Sequence, residues 1–114
     1  GYESVGEVVE AGAESGRRVG EFVFVPGARC YADARGLFGG AAARVVVTGA
    51  RTIPLDATLG ERGVLMALAA TALHAIEVGG SSPGLIVGHG ALGRLVARLV
   101  VARGGPAPTV WETN

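Results

Sequence analysis

The apolar positions change spacing once along the chain. Before about residue 60 they come in short bursts: Val5, Val8 and Val9, then Val19 with Phe22, Val23, Phe24 and Val25, then the RVVV run at 44–47. Each burst is rich in β-branched or aromatic residues and bounded by glycine or proline, as strands between tight turns are. These residues predict a compact, barrel-like β unit, with 28–43 a loop or lobe of no clear periodicity. From Leu59 the bursts give way to ERGVLMALAATALHAIEVGG, rich in helix formers, opened by Glu61 and stopped by Gly79 and Gly80. Its apolar residues run nearly all round, which predicts a buried or inter-domain helix. A linker at 81–84 leads to a strand at Leu85, Ile86 and Val87. The next helix carries Leu92, Leu95, Val96, Leu99 and Val100 at the spacing of one buried face, with Arg94, Arg98 and Arg103 opposite. Gly104, Gly105 and Pro106 end it, and Thr109, Val110 and Trp111 begin a further strand. Strand, glycine turn, helix and strand make a βαβ unit.

Composition adds limits. The 114 residues suffice for one domain or parts of two, and 20 glycines with 49% apolar residues describe a tightly turned, well-buried chain. Ten basic and ten acidic residues cancel, so no basic excess is present to grip nucleic acid. Every cation is an arginine, a feature we attribute to coding bias. One cysteine, Cys30, excludes an intrachain disulfide framework and a multi-thiolate zinc site. No apolar run approaching the roughly 18 residues of a membrane span is expected, and the expected setting is a reducing cytoplasm. The chain opens at Gly1 in mid-pattern, without signal peptide or start methionine, so a piece of a longer protein is expected.

Gly88-x-Gly90-x-x-Gly93 is a weak pattern alone. Here it follows an apolar strand, opens an amphipathic helix, and is followed on the next strand by Glu112. That is the context dinucleotide binding requires. Gly88 allows the tight turn, Gly90 lets a pyrophosphate approach the backbone, and Gly93 lets helix and strand pack closely. Backbone N–H groups near Ala91 and Leu92 would hold phosphates at the positive end of the helix dipole. Glu112 would accept hydrogen bonds from ribose hydroxyls and repel a 2′-phosphate, so NAD is expected over NADP. A ligand-free glycine-rich turn is the competing reading, and His89 either touches a phosphate or has no role.

The opening GYESVGEVVEAG…RVGEFVFVP resembles the GHE-x-x-G-x-V-x-x-x-G…VGDRV signature of the medium-chain alcohol dehydrogenase superfamily. The resemblance covers nearly the whole chain and implies an α/β protein. Residues 1–60 would be the C-terminal part of a GroES-like β-barrel catalytic domain. Residues 61–114 would be the inter-domain helix and first βαβ of a Rossmann NAD-binding domain, truncated. The segments FVPGARCY, RGLFGGAAARVVV, LGERGVLMALAATALHAI, LIVGHGALGRL and TVWETN are similar to a branch that oxidises the hydroxyethyl side chain of a chlorophyll-type tetrapyrrole with NAD. The short lobe at 36–43 would leave room for such a macrocycle. The resemblance also implies a homo-oligomer at full length, and the lack of a long apolar run gives the expectation of no membrane span.

The departures from the family pattern bear on metal. Zinc-dependent members bind the catalytic metal through the histidine of GHE, where this chain has Tyr2. A phenol with an ordinary pKa of about 10 is a poor zinc ligand near neutrality. A second family ligand position falls on Ala67, and the lobe at 28–43 holds one cysteine where a structural zinc needs four. No zinc is therefore expected. Without a metal, another group must take the proton and stabilise the alkoxide. Tyr2 is the catalytic candidate, or it fills the vacated volume; Glu3, the retained acid of the signature, orients neighbours, pairs with an arginine or takes part in the chemistry. Thr71 matches a position beside the nicotinamide, with plain helix packing as the alternative. His74 is expected as a half-buried helix residue, Cys30 as a loop thiol, Met66 as core filler, and Glu3, Glu7, Glu10, Glu14 and Glu21 as a solvated strand edge. Two further functions remain open: a zinc-free quinone or enone reductase of the same superfamily, and a non-catalytic nucleotide-binding relative.

Overall fold

In the computed structural model, which describes residues 1, 3–27, 30, 31, 33, 34 and 38–113, the FVFVP run is the middle strand of a three-stranded antiparallel sheet. Strand β2 (Phe22–Pro26) lies between β1 (Glu3–Glu7) and the two-residue β3 (Ile53–Pro54). The register pairs Val5 with Phe24 on one side and Ile53 with Phe24 on the other. With both edges paired, Val23, Phe24 and Val25 are all buried, and Phe24 is only 2% exposed. Val23 and Val25 share one face of the pleat, against which Val8, Cys30 and Val47 pack. The chain is thus mixed α/β, and it divides into two compact units, Gly1–Val64 and Leu65–Asn114.

The RVVV run at 44–47 is not a strand, contrary to its composition. Val47 packs onto the β2 core while Val46 is 89% exposed. The second edge of β2 goes instead to Ile53 and Pro54, and β propensity alone makes no strand of a segment that pairs with none. Proline is tolerated there because β3 is an edge strand. Beside it sits a buried polar clamp. Thr52, 6% exposed, donates its hydroxyl to the Gly49 carbonyl at 2.8 Å and accepts from Arg17 Nε at 2.7 Å. Arg17 Nη2 also donates to the Thr52 carbonyl at 2.8 Å. At Gly49 a Cβ would run into the Ser15 carbonyl, so the two turns meet backbone to backbone.

The long helix expected from Glu61 begins later. Residues Ala57–Leu65 form a 3-10 stretch, kinked where Gly60 takes φ +50°. Asp56 precedes it, its carboxylate accepting from the Thr58 N–H at 2.8 Å and hydroxyl at 2.7 Å. Those bonds hold the Asp56 carboxyl below the usual carboxylate range. Gly60 and Gly63 explain the delay, since each weakens an α-helix by about 1 kcal/mol relative to alanine. Gly63 is buried, and a Cβ there would lie 2.9 Å from Leu55 Cδ1 and 3.1 Å from Val5 Cγ1.

The second unit holds α1 (Met66–Val78), β4 (Leu85–Val87), α2 (Ala91–Ala102) and β5 (Thr109–Trp111). β4 and β5 run parallel, Leu85 opposite Thr109 and Val87 opposite Trp111, with α2 as the crossover. α1 packs on α2, and Ala72 and Val100 are fully buried. Glu77 and Arg103 join the two helices at 3.5 Å, but both side chains are about half exposed, so the pair adds little. α1 is less buried than its all-round apolar pattern suggests: its buried residues are Ala72 and Ile76, one i, i+4 stripe, while Leu68, His74 and Val78 are exposed. The helical run Ala57–Val78 is long and apolar enough by length and composition to cross a membrane, which corrects the expectation that no such run exists. Its α-helical part has 13 residues, about 20 Å at 1.5 Å per residue, against a hydrocarbon core of about 30 Å.

Phe24→Ala should remove about 3–5 kcal/mol from the stability of the β unit by leaving a cavity between its two partner strands. Urea unfolding monitored by circular dichroism reads this as a lower midpoint; an unchanged midpoint would mean Phe24 is not the centre of that core.

Candidate dinucleotide-binding site

The site builds from the end of β4. The Gly88 N–H donates to the Trp111 carbonyl at 2.8 Å, extending the parallel ladder one step past the strands. Gly88 then takes φ +92°, a conformation L side chains rarely adopt, and turns the chain off the sheet. Gly90 follows at the N-cap of α2 with φ −69° and no side-chain cap. Nothing lies within 4 Å of where its Cβ would be, so the backbone is open to approach there. Arg94 N–H closes the first helical bond, onto the Gly90 carbonyl at 3.0 Å. The N–H groups of Ala91, Leu92 and Gly93 precede that bond and have no partner within the helix. Gly93 is the contact point of helix and loop: a Cβ would run into the Gly88 carbonyl, and Ile86 Cγ2 would lie 3.5 Å away.

Glu112, one residue beyond β5, reaches back to this loop. Its Oε2 accepts from the His89 N–H at 2.6 Å, and its Oε1 accepts from the Thr113 N–H at 2.7 Å. A carboxylate offers about four acceptor positions, and Oε1 also accepts from the Thr113 hydroxyl at 3.5 Å. Arg94 Nε donates to the carbonyl of the same His89 at 2.9 Å, so both polar groups of that peptide unit's residue are held by side chains. His89, Gly90, Arg94, Val110 and Glu112 line a hollow of about 540 Å³, within the range of small-molecule and cofactor sites. His89 is part-buried, and its Nδ1 has no hydrogen-bond partner among the described residues.

Gly88, Gly90, Ala91, Leu92, Gly93 and Glu112 thus come together in one unit, on one loop and the two ends it connects. Thr71 and Glu3 are not among the residues lining the hollow. Thr71 lies exposed on α1 and donates its hydroxyl to the Ala67 carbonyl at 3.0 Å, a bond within its own helix. Glu3 is half-buried in β1, opposite Pro26, and Tyr2 lies outside the described residues. His74 is exposed rather than half-buried, because it sits off the Ala72–Ile76 stripe. Cys30 is a half-buried free thiol against Gly39. Among the described residues, no three His, Cys, Asp or Glu side chains are grouped to hold a metal. Sequence reading missed Arg94 and Val110 as lining residues. Arg94 directly follows the last glycine of the pattern, and Val110 is two residues before the acid, so strand alternation puts both on one side.

Over its whole length the chain is similar to oxidoreductases, and the relatives it matches are dehydrogenases. One is the 2-desacetyl-2-hydroxyethyl bacteriochlorophyllide A dehydrogenase of Rhodobacter capsulatus, 55% identical over 116 residues. Another is the protein of the same name from Cereibacter sphaeroides, 54% identical over 120 residues. The match takes in 100% of this chain but only 37% and 38% of those two proteins. No family model matches the chain. No solved structure matches it.

Gly93→Ala should displace the loop or tilt α2, with a loss of about 1–3 kcal/mol from overpacking; thermal unfolding at unchanged midpoint would contradict the close contact. Glu112→Ala should leave the His89 N–H without its acceptor. Amide exchange at His89, followed by nuclear magnetic resonance, is then expected to speed up by about tenfold, as loss of a charge-assisted bond of at least 1.4 kcal/mol allows.

Proposed function

We propose that this chain is part of an NAD-dependent alcohol dehydrogenase that oxidises the 3-(1-hydroxyethyl) group of a bacteriochlorophyllide to 3-acetyl, without zinc. In this reading residues 1–60 belong to a GroES-like catalytic domain and 61–114 open a Rossmann domain. The observation that carries the cofactor assignment is the Glu112 carboxylate fixed at the rim of the glycine loop by the His89 and Thr113 N–H groups. An anchored acid beside an open backbone cradle fits a ribose diol next to a pyrophosphate, and it opposes a 2′-phosphate. The donor set fits NAD: Gly90 is open to approach, Gly93 keeps α2 close, and the helix start offers N–H groups without intrahelical partners. The substrate assignment is supported by the whole-chain identity to the two bacteriochlorophyllide dehydrogenases.

Bound NAD supplies a hydride acceptor for the carbinol carbon of the alcohol. The chain's own part is to hold that cofactor and to move the hydroxyl proton. Glu112 accepts from the ribose hydroxyls, and the N–H groups of Ala91 and Leu92 face the phosphates. Tyr2 takes the place of a zinc-binding histidine, and its phenolic oxygen is the group we assign to relay the substrate proton, accepting it as its own hydroxyl proton passes to solvent water. Glu3 beside it in sequence orients that exchange. Ala67 at the second family ligand position supports a reaction without zinc. Thr71, with its hydroxyl held by the Ala67 carbonyl, keeps a lone pair for the nicotinamide side.

The test mixes the full-length protein with NAD and 3-(1-hydroxyethyl) bacteriochlorophyllide a and follows the long-wavelength absorption band. A red shift with stoichiometric NADH, unaffected by a zinc chelator, is the expected result. Loss of activity in the chelator would overturn the zinc-free reading, and tight NAD binding with no shift would overturn the pigment as substrate. Tyr2→Phe is expected to lower kcat by at least about 100-fold with little change in NAD affinity, as removal of an acid–base group does; unaltered turnover would remove Tyr2 from the mechanism.

A further inference from the structure

The sequence pattern assigns the glycines and Glu112 to nucleotide binding but leaves Arg94 as a polar-face residue of α2. The geometry gives it a different place. Arg94 lines the same hollow as Glu112, His89, Gly90 and Val110. Its Nε is used in a 2.9 Å bond to the His89 carbonyl, and this bond fixes the plane of the guanidinium. Nη1 and Nη2 have no hydrogen-bond partner among the described residues, so the tethered fork keeps its two outer nitrogens for a ligand. By comparison, Arg103 at the C-cap of the same helix directs its Nη1 to Glu77 at 3.5 Å. A planar pair of charged donors, pre-oriented on one edge of a hollow, suits the two oxygens of a phosphate.

We infer that Arg94 is a binding residue for a phosphate group of the nucleotide in this hollow, oriented for that role by its bond to the His89 carbonyl. The inference rests on the dinucleotide reading above and extends it. Two features of the hollow define the ligand class. Glu112, held at 2.6 Å by the His89 N–H, recognises hydroxyls, and Arg94 recognises an anion, so the ligand carries both a sugar diol and a phosphate. Because both side chains hold the same residue of the loop, one through its N–H and one through its carbonyl, the anion and diol positions are fixed relative to each other. The phosphate belongs either to the 5′-pyrophosphate of a dinucleotide or to a 2′-phosphate, and the test separates the two.

Calorimetric titrations of the full-length protein with adenosine, ADP-ribose and 2′-phospho-ADP-ribose are compared with those of Arg94→Gln, Arg94→Met and Arg94→Lys, each checked for unchanged thermal unfolding. Arg94→Gln and Arg94→Met are expected to weaken ADP-ribose by about tenfold or more while leaving adenosine unchanged, as loss of a charge-assisted phosphate contact does. Their affinity should also depend less steeply on ionic strength. Arg94→Lys should restore the ionic-strength dependence and part of the affinity. A loss confined to 2′-phospho-ADP-ribose would support the inference and place the phosphate at the 2′ position. Equal losses for adenosine and ADP-ribose would mean that Arg94 only shapes the loop, and this would overturn it. Unchanged affinities would overturn it too. A wild-type protein that binds none of the three ligands would overturn the dinucleotide reading along with it.

Discussion

α2 approaches the turn that feeds it so closely that no side chain fits between them, and the rest of the second unit depends on that contact. Gly93 lies against the Gly88 carbonyl, with Ile86 as the next neighbour. Close approach brings α2 down onto the β4–β5 pair, where Ile86 and Val100 are buried. It also fixes where the first turn of the helix points relative to the strand ends. Glu112 and Arg94 can reach opposite ends of His89 only because strand end, turn and helix start are so near one another. One missing methyl group thus sets the geometry of a polar site several residues away. The stabilisation comes from packing that a larger residue would convert into strain.

The legible part of the molecule was the part where local rules and tertiary structure agree. The βαβ unit could be read because its strands, its helix face and its glycine turn each carry their own signal, and the parallel pairing of Leu85–Val87 with Thr109–Trp111 adds no conflict. β1 and β2 were legible for the same reason. The RVVV run misled because a strand is a relation between two segments: three valines mark a willing partner, but Ile53 and Pro54 occupy the edge. The helix start misled because Gly60 and Gly63 sit inside a sequence otherwise rich in helix formers, and the positive φ of Gly60 kinks it. His74 misled through the same helix, since an all-round apolar pattern does not say which stripe a neighbour will cover.

The site divides along similar lines. Glycine spacing is a backbone property and survives in the sequence, so the cradle was visible. The lining role of Arg94 depends on a side-chain rotamer held by a carbonyl five residues away, which its place directly after the last glycine does not by itself announce. The spacing points Glu112 at a ribose and says nothing of the backbone N–H that each of its oxygens carries. In the NAD reading proposed above, the acid would serve the loop and a ligand at once, because a carboxylate has more acceptor positions than either partner alone requires. Residue identity could be read from sequence, but the number of partners that residue serves could not.

The Arg17–Thr52 clamp in the β unit bears on how the chain is held together at all. Two hydrogen bonds from Arg17 to Thr52 join residues 35 positions apart and close a loop that contains β2, a third ties Thr52 to Gly49, and the backbones of Ser15 and Gly49 are in contact beside them. Topologically this is what a disulfide does in a small domain, done here with a guanidinium and a hydroxyl. Such a closure forms and opens without an oxidant or an isomerase, so it can be remade in each folding event and is indifferent to the thiol balance of its surroundings. It differs from a covalent link in one respect. It restricts the folded chain only and leaves the unfolded ensemble its full freedom, so it stabilises the native state through the bonds themselves and not by removing conformations from the unfolded chain.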